Sequence, residues 1–221
     1  MGRITKKPDE RKQEIIECAV NLFYEKGFFN TAVSDIVKKL DIAQGTFYYY
    51  FKTKEEILDF IVNQYIDYIV NEAELIVKSN ATATEKIKEI FVNEFKKADF
   101  DCDSVSKLHL IKDFDLHQRI LIRIVERYVP VLVKIVKQGI KERVFKTKYP
   151  LEATEILILG FHFLLDPGIT SWDEKGMLRR IKSSGEIIEN TLIAKKGSFG
   201  FLPGLLNKYM RSYYELKKNF N

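Results

Sequence analysis

Residues 44–56, QGTFYYYFKTKEE, place five aromatic side chains in a row in front of a basic segment. A fully buried segment would not carry three consecutive tyrosines, because each phenol needs a hydrogen-bond partner when it is buried. The apolar run is also much shorter than the roughly 20 residues that a membrane-spanning helix needs. We therefore expect part of this aromatic run to lie on the surface of the protein.

A helical projection separates the rings into two groups. With about 100° between successive residues, Phe47 and Phe51 fall on one face, and Tyr49 points almost directly away from it. Tyr48 and Tyr50 lie on the flanks. The run therefore predicts a short helix with two core residues and three surface phenols.

The segments on both sides of the aromatic run also have helical periodicity. Apolar residues recur at helical spacing over residues 15–23, and Gly27 supplies a C-terminal stop. A second, short helical period begins at Thr31. Thr53 and Glu56 form a capping box that opens a long helix. Two short helices joined by a tight turn and braced by a third predict a helix-turn-helix unit.

The rest of the chain favours helices as well, with no convincing strand pattern. Thr82 and Glu85 form another capping box. Pro130 should kink or divide a long apolar helix over residues 120–144. The fold class predicted is therefore all-α. Further helices are expected at 150–165, at 173–196 and from Pro203 to about residue 218.

Composition and charge limit the class of protein. The 221 residues include 46% hydrophobic side chains and carry a net charge of +5, which permits a sizeable core and a polyanionic partner. Cys18 and Cys102 have no CxxC partner, so neither a disulfide framework nor a thiolate zinc site is expected. The charged N-terminus has no signal-peptide pattern, and we expect a cytoplasmic protein without a membrane segment.

No pattern in the sequence predicts catalysis. It contains no P-loop, dinucleotide motif, nucleophile–base pair or metal-ligand spacing. We therefore expect no catalytic residue, no metal site and no cofactor.

The residues in front of the aromatic run suit contact with a nucleic acid. Recognition helices touch base edges with their N-terminal turn, where Gln44 can pair with a base and Gly45 lets the backbone come close. An exposed phenol can donate a hydrogen bond to a phosphate oxygen. The tyrosines could equally form an exposed or dimer-facing patch, and the residues alone leave both interpretations open.

Residues 31–58, TAVSDIVKKLDIAQGTFYYYFKTKEEIL, resemble the DNA-binding signature of the TetR family of transcriptional regulators. Residues 19–28, AVNLFYEKGF, are similar to the end of that family's first helix, so the resemblance covers about residues 10–60. Leu40 and Asp41 stand where alanine and glycine are usual. Aspartate tolerates the left-handed conformation, so we expect the turn to survive.

The resemblance implies that the chain binds double-stranded operator DNA and indicates which residues touch it. At Lys54 a positive charge near a helix N-terminus opposes the helix dipole, which an external anion would explain. Phosphate or backbone contacts are expected from Thr31, Tyr48, Tyr49 and Lys54, major-groove contacts from Gln44, Gly45 and Thr46, and either kind from Tyr50.

The resemblance also implies the domain organisation. A three-helix helix-turn-helix domain, residues 1–53, would be joined through a long helix to a larger helical ligand-binding and dimerisation domain, residues 54–221. Family members dimerise through the two helices that precede any C-terminal extension, here near 151–165 and 174–195. The apolar surface of this interface is expected from Leu157, Leu159, Phe161, Leu164, Leu165, Met177, Ile181, Ile187, Ile188 and Leu192. The role of the helix after Pro203 is left open.

Family members also hold a small-molecule effector in the C-terminal helices, and the effector of this chain is unknown. Aromatic and histidine side chains of the C-terminal domain could line its cavity, or they could simply belong to the core. The candidates are Phe91, Phe95, Phe114, His117, Tyr128, Phe161 and His162.

The function that these expectations favour is that of a homodimeric transcriptional regulator. It would be a repressor that a small-molecule ligand releases from a palindromic operator. The alternatives are an apolar-ligand-binding helical protein and a protein-docking module without regulated DNA release.

Overall fold

A computed structural model describes residues 7–96, 111, 113–166 and 169–208. Over these ranges the chain forms helices and no strand, which confirms the all-α prediction. Nor does any helix in the same ranges have the length and apolar character needed to cross a membrane. In chain order the helices are α1 Pro8–Lys26, α2 Val33–Leu40, α3 Gln44–Tyr50, α4 Lys54–Lys78, α5 Ala83–Lys96, α6 Phe114–Arg123, α7 Val129–Lys141, α8 Pro150–Leu164, α9 Glu174–Leu192 and α10, residues 202–208.

The N-terminal unit consists of α1, α2 and α3. Gly27 ends α1 with a φ of 85°, which glycine adopts without steric cost, and its N–H donates to the Phe23 carbonyl at 2.9 Å. Asp41 follows α2 in the left-handed conformation, with φ 50° and ψ 49°, as the turn requires. Ile36 of α2 and Phe47 of α3 are buried in one core with α1.

The predicted capping box at the start of α4 forms in part. Thr53 Oγ1 accepts a hydrogen bond from the Glu56 N–H at 3.2 Å. The Glu56 carboxylate accepts from the Lys52 N–H at 2.6 Å rather than from Thr53. From this cap α4 runs for 25 residues and joins the N-terminal unit to the helices that follow.

α4 packs along α6 and α7 and runs parallel to them. Ion pairs join residues that are 60 positions apart in the sequence, and this constant offset shows that the paired segments advance together. We call these pairs the ion-pair ladder. Its members are Asp59–Arg119 at 2.8 Å, Asp67–Arg127 at 2.5 Å and Glu74–Lys134 at 2.5 Å.

Pro130 divides the long helix that the sequence predicts. A π-helical turn over Ile124–Tyr128 separates α6 from α7, and Pro130 is the second residue of α7. A proline inside a helix has no N–H to donate, and its ring clashes with the carbonyl of the residue four positions earlier, here Glu126. The wider π turn places the missing hydrogen bond and the ring of Pro130 at the boundary between two regular helices.

α9 ends at Leu192, so the predicted end at residue 196 is wrong. Ile193 adopts the left-handed conformation with a φ of 52°, and its N–H donates to the Asn190 carbonyl at 3.3 Å. The Ala194 N–H then donates to the Glu189 carbonyl at 2.8 Å. A β-branched residue rarely takes this conformation, so sequence patterns point to glycine instead.

Residues 197–208, the C-terminal segment, extend the core of their own chain. Phe199, Leu202 and Leu206 are buried. The Phe199 N–H donates to the buried Glu189 carboxylate at 2.9 Å, and its ring stacks on Phe145 with 6.1 Å between centroids. The part of the expected last helix beyond residue 208 lies outside the described residues.

Candidate nucleic-acid interface and ligand cavity

The aromatic run occupies α3 and the residue after it, with the faces that the helical projection predicts. Phe47 is 0% exposed and Phe51 is buried, whereas Tyr49 is 75% exposed. Tyr48 is exposed and Tyr50 is half-buried, so both flank the core side. The Tyr49 and Tyr50 rings meet edge to face at 4.9 Å. The helix therefore presents phenols to the outside while two phenylalanines hold it on the core.

The first turn of α3 is open to a partner. Gln44 and Gly45 are exposed, and Thr46 is half-buried. A Cβ atom added to Gly45 would meet nothing within 4 Å, so the packing of the chain itself does not require glycine there. The close approach of another molecule, which the sequence predicts here, would explain a glycine at this position.

Thr31 lies inside the N-terminal unit, and this placement does not fit the expected phosphate contact. The residue is 1% exposed, and its hydroxyl donates to the Gly27 carbonyl at 2.8 Å. Its side chain ties the end of α1 to the start of α2, where Ala32 is the N-cap and supplies no hydroxyl.

Asp35, which was not among the predicted residues, joins the end of α1 to the start of α2. Its carboxylate accepts from Lys26 at 2.5 Å and from the Ala32 N–H at 2.8 Å. The hydrogen bond from Lys26, followed by that from Ala32, holds the pKa of the Asp35 carboxyl below its ordinary value. The available signal was an acidic residue in the first turn of a helix without a side-chain cap.

Lys54 directs its amine toward the N-terminal unit rather than away from it. The Nζ atom donates to the carbonyl oxygens of Phe28 at 2.7 Å, Thr31 at 2.9 Å and Phe29 at 3.3 Å. It also lies 4.5 Å from the centroid of the Phe28 ring. The amine that was expected to meet a phosphate is therefore engaged with backbone oxygens.

An apolar cavity, partly open to solvent, lies among α5, α7, α8 and α9. Among the described residues of its lining Thr154 is the polar one, and its hydroxyl donates to the Pro150 carbonyl at 2.6 Å within α8. The wall therefore offers hydrocarbon rather than hydrogen-bonding groups. It is formed by Ile87, Ile90, Phe91, Leu132, Ile135, Val136, Thr154, Leu157, Ile158, Phe161, Ile188 and Leu192.

Two of the aromatic candidates, Phe91 and Phe161, line this cavity and meet edge to face at 5.9 Å. Phe114 is 70% exposed, and Tyr128 is buried in the core away from the cavity wall. His162 is half-buried and also does not line the wall. The side chain of Phe95 lies outside the described part of the structure. The predicted lining was mainly aromatic, whereas aliphatic residues form most of this wall.

His117 does not line the cavity and instead joins three segments. Its Nε2 donates to the Ile111 carbonyl at 2.9 Å, and its Nδ1 lies 3.4 Å from the Asp166 carboxylate. Burial alone would lower the pKa of His117, but the hydrogen bond and charge of Asp166, with the Ile111 carbonyl, raise it above the ordinary value. Across the described ranges no group of three or more His, Cys, Asp or Glu residues is placed to hold a metal ion.

Comparison with known proteins matches both parts of the chain. Residues 15–60 match the family model for bacterial regulatory proteins of the tetR family, and residues 96–187 match that for the tetracyclin repressor-like C-terminal domain. The "Fatty acid metabolism regulator protein" of Bacillus subtilis is 30% identical over 162 residues, which cover 72% of this chain and 81% of that protein.

Solved structures have the same fold. The Bacillus subtilis regulator FadR in complex with stearoyl-CoA is 26% identical, with a TM-score of 0.59, and the match covers 81% of this chain and 97% of that one. SmeT, the repressor of the Stenotrophomonas maltophilia multidrug efflux pump SmeDEF, has a TM-score of 0.62 at 19% identity, covering 87% and 94% of the two chains. The chain belongs to the TetR family and is a DNA-binding transcriptional regulator.

Proposed function

We propose that this regulator is a repressor whose affinity for operator DNA is controlled by a long-chain acyl ligand, a fatty acid or its coenzyme A thioester. The observation that carries the proposal is the hydrocarbon wall of the cavity among α5, α7, α8 and α9. A polar ligand would lose its hydrogen bonds to water there without replacement. An acyl chain, in contrast, gains about 0.8 kcal/mol for each methylene that it buries.

The relatives support the same ligand class. One is named for the regulation of fatty acid metabolism, and another is a FadR structure that contains stearoyl-CoA. Since none of the described residues that line the cavity is charged, we place only the acyl chain inside it. A carboxylate or coenzyme A group would remain at the open side, in contact with solvent.

The proposed operator-binding surface is the exposed side of α3. Gln44, Gly45 and Thr46 would read base edges in the major groove, because they form the first turn of the recognition helix. Tyr48 and Tyr49, both exposed, would donate to phosphate oxygens. Tyr50 would contribute from the flank of the helix. This DNA-binding domain would end at residue 53, and the domain that binds ligand and partner would begin with α4.

We also propose that two copies pair through α8 and α9. Both helices leave large apolar side chains exposed in the single chain, among them Ile156, which is 70% exposed, and Ile187. Other apolar residues of α9 that we expected at this interface are buried in the core of the chain itself, so that expectation is wrong for them. These are Met177, Ile181, Ile188 and Leu192.

The proposed role is regulatory and cytoplasmic, with no catalytic step. The family assignment supports it, since its named relatives are regulators.

A DNA-release experiment tests the ligand class. The probe is a labelled duplex recovered from random DNA by selection with this protein, and its fluorescence anisotropy is followed during titration with stearoyl-CoA, stearate or free coenzyme A. We expect an acyl ligand to lower the affinity for the duplex and free coenzyme A to have no effect. A duplex that stays bound at saturating concentrations of every acyl ligand would contradict the proposal.

Two matched tryptophan variants test whether the acyl ligand acts from within the cavity. Leu157→Trp adds volume inside the cavity and should weaken the response to the acyl ligand. Leu75→Trp makes the same change on the exposed side of α4 and should leave the response unchanged. Equal responses in the two variants would mean that the ligand binds elsewhere.

A further inference from the structure

The ammonium group of Lys54 has as many acceptors as it has protons. A lysine carries three N–H donors, and the carbonyl oxygens of Phe28, Phe29 and Thr31 surround its Nζ atom. The Phe28 ring lies under the same charge at 4.5 Å. Charge-assisted hydrogen bonds of this kind are roughly twice as strong as neutral ones. A phosphate contact would therefore require the amine to give up bonds that it already makes.

These contacts also explain a positive charge at the first residue of α4. A lysine at a helix N-terminus is unfavourable because the helix dipole is positive there. The oxygens of the α1–α2 loop, residues 27–32, carry the opposite partial charge and offset this cost. In return the lysine satisfies loop carbonyls that would otherwise need another partner.

Few residues separate the loop that Lys54 contacts from the recognition helix α3. Thr31 is two positions before Val33, the first residue of α2, and its hydroxyl ties the same loop to the end of α1. α2 leads through the Asp41 turn into α3. We propose that Lys54 is a positioning residue for DNA binding: it fixes the α1–α2 loop, and thereby α2 and α3, on the first turn of α4, and it does not bind a phosphate.

The salt dependence of DNA affinity distinguishes a positioning role of Lys54 from a phosphate contact. Each phosphate contact contributes about 1 to the slope of log affinity against log salt concentration. Lys54→Met keeps much of the side-chain length and removes the ammonium group. Lys78→Met is the matched control, because Lys78 is the exposed last residue of the same helix. Binding to the selected duplex and to a scrambled duplex is measured at several salt concentrations without an effector, so the outcome does not depend on the acyl-ligand proposal.

We expect Lys54→Met to weaken binding to the selected duplex about tenfold with an unchanged salt slope, while Lys78→Met binds as the original chain does. Amide hydrogen exchange over residues 28–36 should become faster in Lys54→Met. A salt slope that falls by about 1, with hydrogen exchange unchanged, would overturn the proposal.

Lys54→Arg keeps the test decisive if the methionine variant does not fold. Arginine binds phosphate at least as well as lysine does, but its planar guanidinium cannot direct its donors at the three carbonyls as a compact ammonium does. The positioning role predicts reduced affinity for the selected duplex and faster exchange in this loop. Full affinity together with unchanged exchange would overturn it.

Discussion

Phe47 and Tyr49 are two residues apart in α3, and the structure gives them opposite surroundings. The phenylalanine ring is in the core with α1 and α2, whereas the tyrosine ring meets mostly solvent and the edge of Tyr50. At this scale helical periodicity predicted the side-chain faces correctly. It could not predict the directions of Thr31 and Lys54, because those depend on carbonyl groups that tertiary folding brings within reach.

Alanine variants of the two rings should separate folding from DNA binding. Phe47→Ala should lower the free energy of unfolding by about 3–5 kcal/mol, because it leaves a cavity in the core. Tyr49→Ala should change it by no more than about 0.5 kcal/mol and should weaken DNA binding. Urea unfolding and anisotropy titrations measure the two effects. A loss of stability in Tyr49→Ala as large as that in Phe47→Ala, or an unchanged DNA affinity, would contradict the assignment of Tyr49 to the DNA-binding face.

Gln44 should affect sequence discrimination more than overall affinity. It is exposed in the first turn of α3, where a side-chain amide can make a paired contact with a base edge. Gln44→Ala should reduce discrimination by about 1–3 kcal/mol at one or two positions of each half-site. Binding to a set of single-base variants of the selected duplex measures this. A uniform loss on all duplexes would assign Gln44 to the backbone instead.

At the scale of elements, helix starts were easier to predict than helix ends. Thr53, Thr82 and Pro150 mark starts through local hydrogen bonds or a fixed φ, and these act within a few residues. The end of α9 instead lies just before Ile193, a left-handed residue that no local sequence pattern marks, and the Glu189 carboxylate of its last turn contacts the C-terminal segment. The cavity wall was also hard to predict, because it depends on which aliphatic residues of four helices face one another.

Gly185 should be needed for the contact between α9 and the C-terminal segment. A Cβ atom added there would lie 2.7 Å from the Phe199 carbonyl oxygen, which is backbone and cannot rotate away. Gly185→Ala should therefore destabilise the chain by about 1–3 kcal/mol. Gly204→Ala is the control, since its added Cβ meets nothing within 4 Å and alanine favours a helix. Thermal unfolding compares the two, and equal stability would contradict the close contact.

The His117–Asp166 pair should make stability depend on pH. Because the folded-state pKa of His117 is raised, its stabilising contribution is fully present below its unfolded pKa of about 6.5. The contribution is lost as pH rises through the folded-state pKa. His117→Gln should therefore be destabilised most at low pH, and its difference from the original chain should shrink at higher pH. Urea unfolding over a pH series measures this, and a difference that grows with pH would reverse the assignment.

At the scale of the whole molecule, an exposed apolar surface remains on α8 and α9. A contiguous exposed apolar patch often marks an interface, whereas single exposed apolar residues are common on any surface. Ile156→Glu should place a charge in the proposed dimer interface and shift the chain toward monomers, with loss of affinity for a palindromic duplex. Analytical ultracentrifugation measures the association. Leu75→Glu, an equally exposed apolar position on α4, should leave it unchanged.

The ion-pair ladder adds to the packing that opposes sliding of α4, although each partly exposed pair is worth at most about 1 kcal/mol. Sliding α4 by one residue along α6 and α7 would separate every pair of the ladder at once, whereas a tilt about one end would strain them unequally. We therefore expect α4 to rotate as a rigid body. At about 1.5 Å per residue its 25 residues span about 37 Å, so a rotation of about 5° at one end displaces the other end by about 3 Å. Spin labels at the two ends of α4, measured with and without ligand, would distinguish such amplification from a uniform shift.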